Sequence, residues 1–369
     1  MKWKLLKIMT ILKGISSRIY YWFSCHIKGY CPTIDEINNS KVRNLANRLK
    51  ADSYRESLTN ILEWQNRNIE FWTERHPIST LLLAMLQFIC WVCVAIAVLF
   101  SVGVLLLVIL QIPIVLIWFI EIITLFIQNI ELFFAIFASS GVTMLVVIIC
   151  VLHSNRKFPW KKILNVLKNV FMPSISIDFL LGNRLGVCKD YAKLTACLLL
   201  NMYPNAKVYF VTAPRHVATG INVENRLYML DQRLPILTID RWIEYRKHRK
   251  SDKIERFDPD NKTLEKVNKK VFIHAGRAKT EIDTEKLARK LIRLLNIKER
   301  IANESAQVEI LWKNGVILYE EDEFVDYSLA RWLKMKISNE LIKTTSQITR
   351  IEVSSQQNDL MFLIHLSRT

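Results

Sequence analysis

The sequence predicts an α+β soluble domain attached to a helical transmembrane block. Three observations lead there. The stretch Ile78 to Leu152 carries only two formal charges, Glu121 and Glu131. After Ser154 helical and strand patterns interleave. A Gly-x-Cys then opens a helix shortly before a histidine opens a strand.

Taken in order, residues 1–77 are polar and basic, with helices expected over Val42 to Leu49 and Ser57 to Trp72. Trp3, Leu5, Leu6, Ile8, Met9 and Leu12, interleaved with Lys2, Lys4, Lys7 and Lys13, form an amphipathic pattern. It suits a membrane surface as well as burial on another domain. Interrupting lysines and the lack of a small-residue cleavage site argue against a signal peptide.

Residues 78–153 form the apolar block. A bilayer core of about 30 Å takes roughly 20 helical residues, so two to three spans are expected. Arg75 precedes the block and Arg156, Lys157, Lys161 and Lys162 come after it. Basic flanks favour the cytoplasmic side, which places the soluble part in the cytoplasm and suits an even number of spans.

Residues 154–260 are the expected core, with a helix over Val187 to Met202 and strands at Lys207 to Thr212, His216 to Val223 and Leu227 to Leu230. Residues 261–369 form an α/β extension. It should contain a helix over Glu281 to Asn303, a hairpin from Gln307 to Tyr319 turning at Asn314-Gly315, a helix over Ser328 to Ile342, and strands at Gln347 to Val353 and Leu360 to His365.

A net charge of +17 points to anionic partners. With an apolar block in the same chain, membrane lipids are preferred over nucleic acid, for which no recognition motif is present. The basic run Arg241 to Lys253 reads as a solvated face, or as a contact for anionic lipid or nucleic acid, with Trp242 and Tyr245 placed to stack on bases. Seven cysteines without paired spacing are no disulfide framework, and Cys90 and Cys93 lie inside the apolar block. No second cluster completes a metal site.

Candidate chemistry gathers around Cys188. A cysteine at a helix N-terminus feels the positive end of the helix dipole, which favours the nucleophilic thiolate. Gly186 allows close backbone approach, and Asp190 sits in the first turn, where a carboxylate meets free amides. If Glu224-Asn225 is a two-residue turn, Val223 lies opposite Arg226 and Asp231 falls opposite Ala218. Asp231 is then a diagonal neighbour of His216, close enough to orient its imidazole. Ala218 and Gly220 on that face leave room for the cysteine helix. The plainer readings are a buried structural thiol at Cys188, a satisfied strand-end histidine and a turn carboxylate. Cys197 reads as core.

The Gly186-x-Cys188-x-Asp190-x-Ala192 helix start, a strand-initial His216 and Asp231 one strand later resemble the transglutaminase-like superfamily over Ile177 to Asp231. The resemblance implies a papain-like core performing thiol acyl chemistry: transglutamination, peptide or amide hydrolysis, or deglycosylation. It implies Cys188 as nucleophile, His216 as base and acid, and Asp231 as the orienting residue, with no cofactor. Many relatives place an aromatic shortly after the histidine, where this chain has Val217-Ala218-Thr219, and a proline after the aspartate, where it has Gln232-Arg233-Leu234-Pro235. For the oxyanion, the nearest upstream side-chain amide is Asn183, and the backbone N–H of Cys188 is the alternative donor. The sequence thus supports two functions. One is a membrane-anchored cysteine enzyme acting on protein or peptide substrates. The other is a non-catalytic scaffold using Val308 to Leu366 to bind a partner.

Overall fold

The structure is a computed structural model. It describes residues 16–72, 174–213, 216–246, 253–268, 271–272, 282–297, 306–341 and 346–368, with Ser101, Val102, Glu121 and Thr124 as isolated positions. The spans expected within 78–153, the amphipathic pattern ending at Lys13, and the Cys90-x-x-Cys93 pair lie outside the described residues. Among the described residues no helix is long and apolar enough to cross a membrane. The chain divides into two compact units, residues 73–173 and the remainder. The segment before the apolar block therefore folds together with the segments after it, and these make up the larger unit.

After a helix over 16–23 and a π-helical turn, Ser24–Lys28, come α1 (Ile34–Ile37), α2 (Ser40–Leu49), α3 (Tyr54–Asn68) and the two-residue β1 (Glu70–Phe71). Beyond the block lie α4 (Ile177–Asn183), β2 (Leu185–Gly186) and α5 (Cys188–Met202). Next are β3 (Val208–Ala213), β4 (His216–Val223), β5 (Arg226–Leu230), β6 (Leu237–Thr238), α6 (Ile239–Arg246), β7 (Lys253–Asp258) and β8 (Thr263–Val267). These six strands form one antiparallel sheet in the order β6-β5-β4-β3-β7-β8. Glu224 and Asn225 both have positive φ, 50° and 65°. That is the backbone of a two-residue hairpin turn, and Val223 pairs with Arg226 as expected.

The two faces of the sheet are covered differently. Tyr209, Val211, Ala218, Leu227, Met229 and Ile254 pack on Trp242 and Ile243 of α6. The opposite face receives α5, where the Thr219 hydroxyl donates to the Ala192 carbonyl at 2.7 Å. Tyr30 meets Phe210 edge-on on that same side, at 5.2 Å between ring centroids. The expectation that the cysteine helix packs over Ala218 and Gly220 is thus corrected. A Cβ on Gly220 would lie 3.0 Å from Leu227 Cδ1 and 3.4 Å from Met229 Sδ. Cross-strand neighbours fill that space, and α6 covers it.

Helix α5 is buried along nearly its whole length, so it needs partners on every side. The N-terminal segment supplies them. Gln65 of α3 donates to Thr195 at 2.9 Å. The ammonium of Lys193, itself buried, reaches Glu36 at 2.8 Å, Ser174 at 2.9 Å and the Ile175 carbonyl at 2.6 Å. A buried cation with three partners is tolerated; a bare one is not. On the sheet side, the hydroxyls of Tyr20 and Tyr30 donate to the buried Glu255 carboxylate at 2.6 and 2.7 Å.

The C-terminal part holds α7 (Thr284–Leu294), β9 (Ala306–Trp312), α8 (Gly315–Leu318), α9 (Glu323–Leu341), β10 (Ser346–Gln356) and β11 (Asp359–Arg368). Strands β9, β10 and β11 form a second sheet with β11 in the middle. The expected hairpin through Tyr319 does not form. Asn314 turns with φ 57°, but the chain then coils into the helical turn α8, and β9 pairs with β11 instead. Gly315 is held too close for a side chain, with Leu360 Cβ 2.9 Å from where its Cβ would be. The Asn314 N–H donates to Asp359 at 2.6 Å. The segment after α8, together with α9, is tied to the region of β5 and β6 through Tyr228 to Asp322 at 3.0 Å, Thr238 to Glu320 at 2.6 Å and the Ile236 N–H to Ser328 at 2.9 Å.

Candidate active site

The cysteine is delivered by a short segment held from two directions. β1 and β2 run parallel, Glu70 beside Leu185 and Phe71 beside Gly186. The Glu70 N–H donates to the Arg184 carbonyl at 2.8 Å and the Trp72 N–H to that of Gly186 at 2.9 Å. A Cβ on Gly186 would sit 2.8 Å from Leu180 Cδ1 and 3.4 Å from Asp190 Cβ. Only glycine permits this packing without displacing Leu180. One residue later the Val187 N–H donates to the Asp190 carboxylate at 2.9 Å, and α5 begins at Cys188. An acidic side chain closing the first turn is a standard helix start, and it places Cys188 at the head of α5. The Tyr191 hydroxyl, donating to the Ile69 carbonyl at 2.7 Å, ties the same turn back to the N-terminal segment.

His216 opens β4 and Asp231 comes directly after β5. His216 Nε2 lies 2.7 Å from Asp231 Oδ1. A carboxylate only accepts, so Nε2 carries the proton and Nδ1 is turned elsewhere. Cys188 is close enough to act on the charge of the imidazole. Burial pulls the imidazole toward its neutral form. The Asp231 charge and hydrogen bond, then Cys188, outweigh this and push its pKa up to about 9. Burial likewise opposes ionisation of Asp231, but His216, Arg246 and Trp242 together hold its carboxyl below the usual range. His216 and Asp231 are thus in direct contact, and Cys188 is near enough to the imidazole to act on its charge.

Asp231 has two further partners that sequence reasoning missed. Its Oδ2 accepts from Trp242 Nε1 at 2.8 Å and from Arg246 at 3.1 Å. The guanidinium lies over the Trp242 ring, 5.3 Å from its centroid, and that ring lies 6.0 Å from the imidazole. Within the run from Arg241, then, Trp242 is 1% exposed with its N–H spent on Asp231, so it is no platform for a nucleic-acid base. The legible signal was spacing: Trp242 and Arg246 stand four apart on a helix whose Ile239 and Ile243 face the core.

Asn183 stands at the end of α4, where its side-chain amide donates to the Phe179 carbonyl at 3.0 Å, one turn back in its own helix. The backbone N–H of Cys188 heads α5, where first-turn amides precede the intrahelical ladder. Cys197 is fully buried in the same helix, and burial holds its thiol well above the ordinary range. Among the described residues no three His, Cys, Asp or Glu side chains converge as metal ligands do. Chemically, the arrangement can move a proton between sulfur and an incoming group through one nitrogen while the other stays fixed on a carboxylate.

Comparison with known proteins agrees with this geometry. A family described as a transglutaminase-like domain matches residues 40–257. The chain is similar to a UPF0252 protein of Methanocaldococcus jannaschii, 28% identical over 187 residues, covering 50% of this chain and 52% of that protein. It is also similar to a UPF0252 protein of Pyrococcus horikoshii, 43% identical over 63 residues, covering 16% of this chain and 20% of that one. The chain thus spans about half the length of the first relative and about a fifth of the second. No solved structure matches it.

Proposed function

Because the chain belongs to the transglutaminase-like domain family, we propose that it is a cysteine enzyme whose Cys188 forms a thioester with a peptide or amide carbonyl of a protein substrate. The supporting observation is His216 Nε2 held 2.7 Å from Asp231 Oδ1, with Cys188 at the head of α5 close enough to act on the imidazole. In the proposed reaction the thiol proton resides on His216 as the imidazolium, and the Cys188 thiolate attacks the carbonyl carbon. The resulting oxyanion is held by the backbone N–H of Cys188. The C–N bond breaks, the imidazolium gives its proton to the leaving amine, and a thioester remains. Water then yields hydrolysis, or an amine yields transfer. Either step returns the proton to His216 and leaves the sulfur as thiolate.

The apolar stretch from Ile78 to Leu152 supports anchoring in a lipid membrane. Both flanks of that stretch, at Trp72 and Ser174, belong to one compact unit. An even number of crossings fits that arrangement, and the basic residues on each side favour the cytoplasmic face.

The test is alkylation of the full chain in detergent by iodoacetamide at pH 7, with each adduct mapped by mass. Cys188 labels much faster than Cys197, and His216→Ala removes the difference. Equal labelling of the two cysteines, or indifference to His216, would leave a transglutaminase-like scaffold without turnover as the function.

A further inference from the structure

We propose that Arg246 is a positioning residue of this site: with the Trp242 indole it fixes Asp231 Oδ2, so that Oδ1 stays directed at His216. The proposal rests on the cysteine-enzyme reading above.

Two observations carry it. First, the oxygens of Asp231 are divided by side. Oδ1 faces the imidazole at 2.7 Å, and both donors from α6, Trp242 Nε1 at 2.8 Å and Arg246 at 3.1 Å, fall on Oδ2. A carboxylate held on one oxygen only is free to rotate about its Cβ–Cγ bond. Two donors on the second oxygen remove that freedom, and one of them is charged. Second, the reacting groups form a sequence of alternating sign. In the reactive form sulfur is negative, the imidazolium positive and the carboxylate negative. The guanidinium, stacked on Trp242, is the fourth member and brings the cluster to neutrality. The guanidinium thereby helps keep the buried Asp231 carboxylate charged beneath His216.

The groups facing Asp231 are few. His216 comes from β4, Trp242 and Arg246 come from α6, and Cys188 from α5 acts through the imidazole. Arg233, two residues on, is exposed. Loss of Arg246 thus removes the second cation on Asp231, and Asp231 takes up its proton at a higher pH.

The experiment uses the full chain in detergent, as the wild type and as Arg246→Gln, Arg246→Lys, Asp231→Asn and the double variant Asp231→Asn with Arg246→Gln. At pH 7, Arg246→Gln is expected to slow Cys188 alkylation about tenfold, and Arg246→Lys to restore most of the rate. In the Asp231→Asn background Arg246→Gln is expected to add nothing. Melting midpoints from pH 7 down to pH 3 supply a readout that loss of helix packing would not move. The part of the acid-side fall that Asp231→Asn removes should shift up by about one pH unit in Arg246→Gln, the size of one charge-assisted hydrogen bond.

Three results would overturn the proposal: an unshifted acid limb, a slowing of the same size in the Asp231→Asn background, or no recovery with lysine. If His216→Ala itself leaves Cys188 alkylation unchanged, the enzyme reading falls. If His216 matters and Arg246 does not, only the positioning role falls.

Discussion

Cys188 and Cys197 lie on one helix, and the contrast between their surroundings bears directly on the proposed chemistry. Cys197 is closed in on all sides; burial first and then the Glu36 carboxylate oppose its ionisation, and outweigh the Lys193 ammonium. Cys31 is similarly held well above the ordinary range, first by burial and then by a hydrogen bond with Cys25. Cys188 is also little exposed, at 8%. Low exposure is therefore not what separates the two ends of α5. Position is. Cys188 stands where backbone N–H groups converge, beside an imidazole already committed to a carboxylate.

The largest test of that contrast is His216→Ala. It should slow Cys188 alkylation at pH 7 by about a hundredfold, the lower range for losing a general base. Cys197 labelling should stay at its low level. Equal slowing of both residues would mean that the helix itself had been disturbed.

Next in size is the pH dependence of stability. His216 has a folded pKa of about 9 against an ordinary 6.5. The ion pair thus contributes fully below about pH 6.5, and its contribution is lost as pH rises through 9. Between pH 7 and pH 10 the wild type should lose on the order of 3 kcal/mol that His216→Ala does not lose, measured by denaturant unfolding at each pH. Parallel curves for the two proteins would mean that no charged pair forms between His216 and Asp231.

Gly186→Ala sharpens the comparison from the backbone side. The added methyl would press on Leu180 and Asp190, costing about 1–3 kcal/mol. It should also slow Cys188 alkylation, because the turn that aims the sulfur must shift. Unchanged alkylation at reduced stability would show the two to be separable. The smallest effect is expected from Cys197→Ala, about 1 kcal/mol in unfolding free energy, with the Cys188 rate unaltered.

The features legible in the sequence were local. The β4–β5 hairpin came from alternation and a two-residue turn, and with it the approach of Asp231 to His216. Val223 pairs with Arg226 and Thr219 with Leu230, as the turn demands. The start of α5 was equally legible from Gly186 and Asp190. The features that were not legible depend on contacts distant in sequence. Which face of the sheet α5 covers depends on the N-terminal segment that packs around it, with α6 taking the other face. Alternation marks two faces but does not say which partner takes each. The pairing of β1 with β2 involves two residues on each side, too few for any pattern. At Asn314-Gly315 the turn residues were read correctly and the return strand was not, because Leu360 and Trp312 crowd Gly315 and the chain coils into α8.

The bond from the Trp72 N–H to the Gly186 carbonyl has a consequence for how such a chain matures. One half of the cysteine's support is synthesised before residue 73 and the other after residue 173. A nascent chain that has not cleared its apolar stretch holds the strand, Glu70–Phe71, but nothing to lay against it. The proposed site thus assembles late in translation, after the hydrophobic segment has left the ribosome, and a truncated product ending within that segment lacks Cys188, His216 and Asp231.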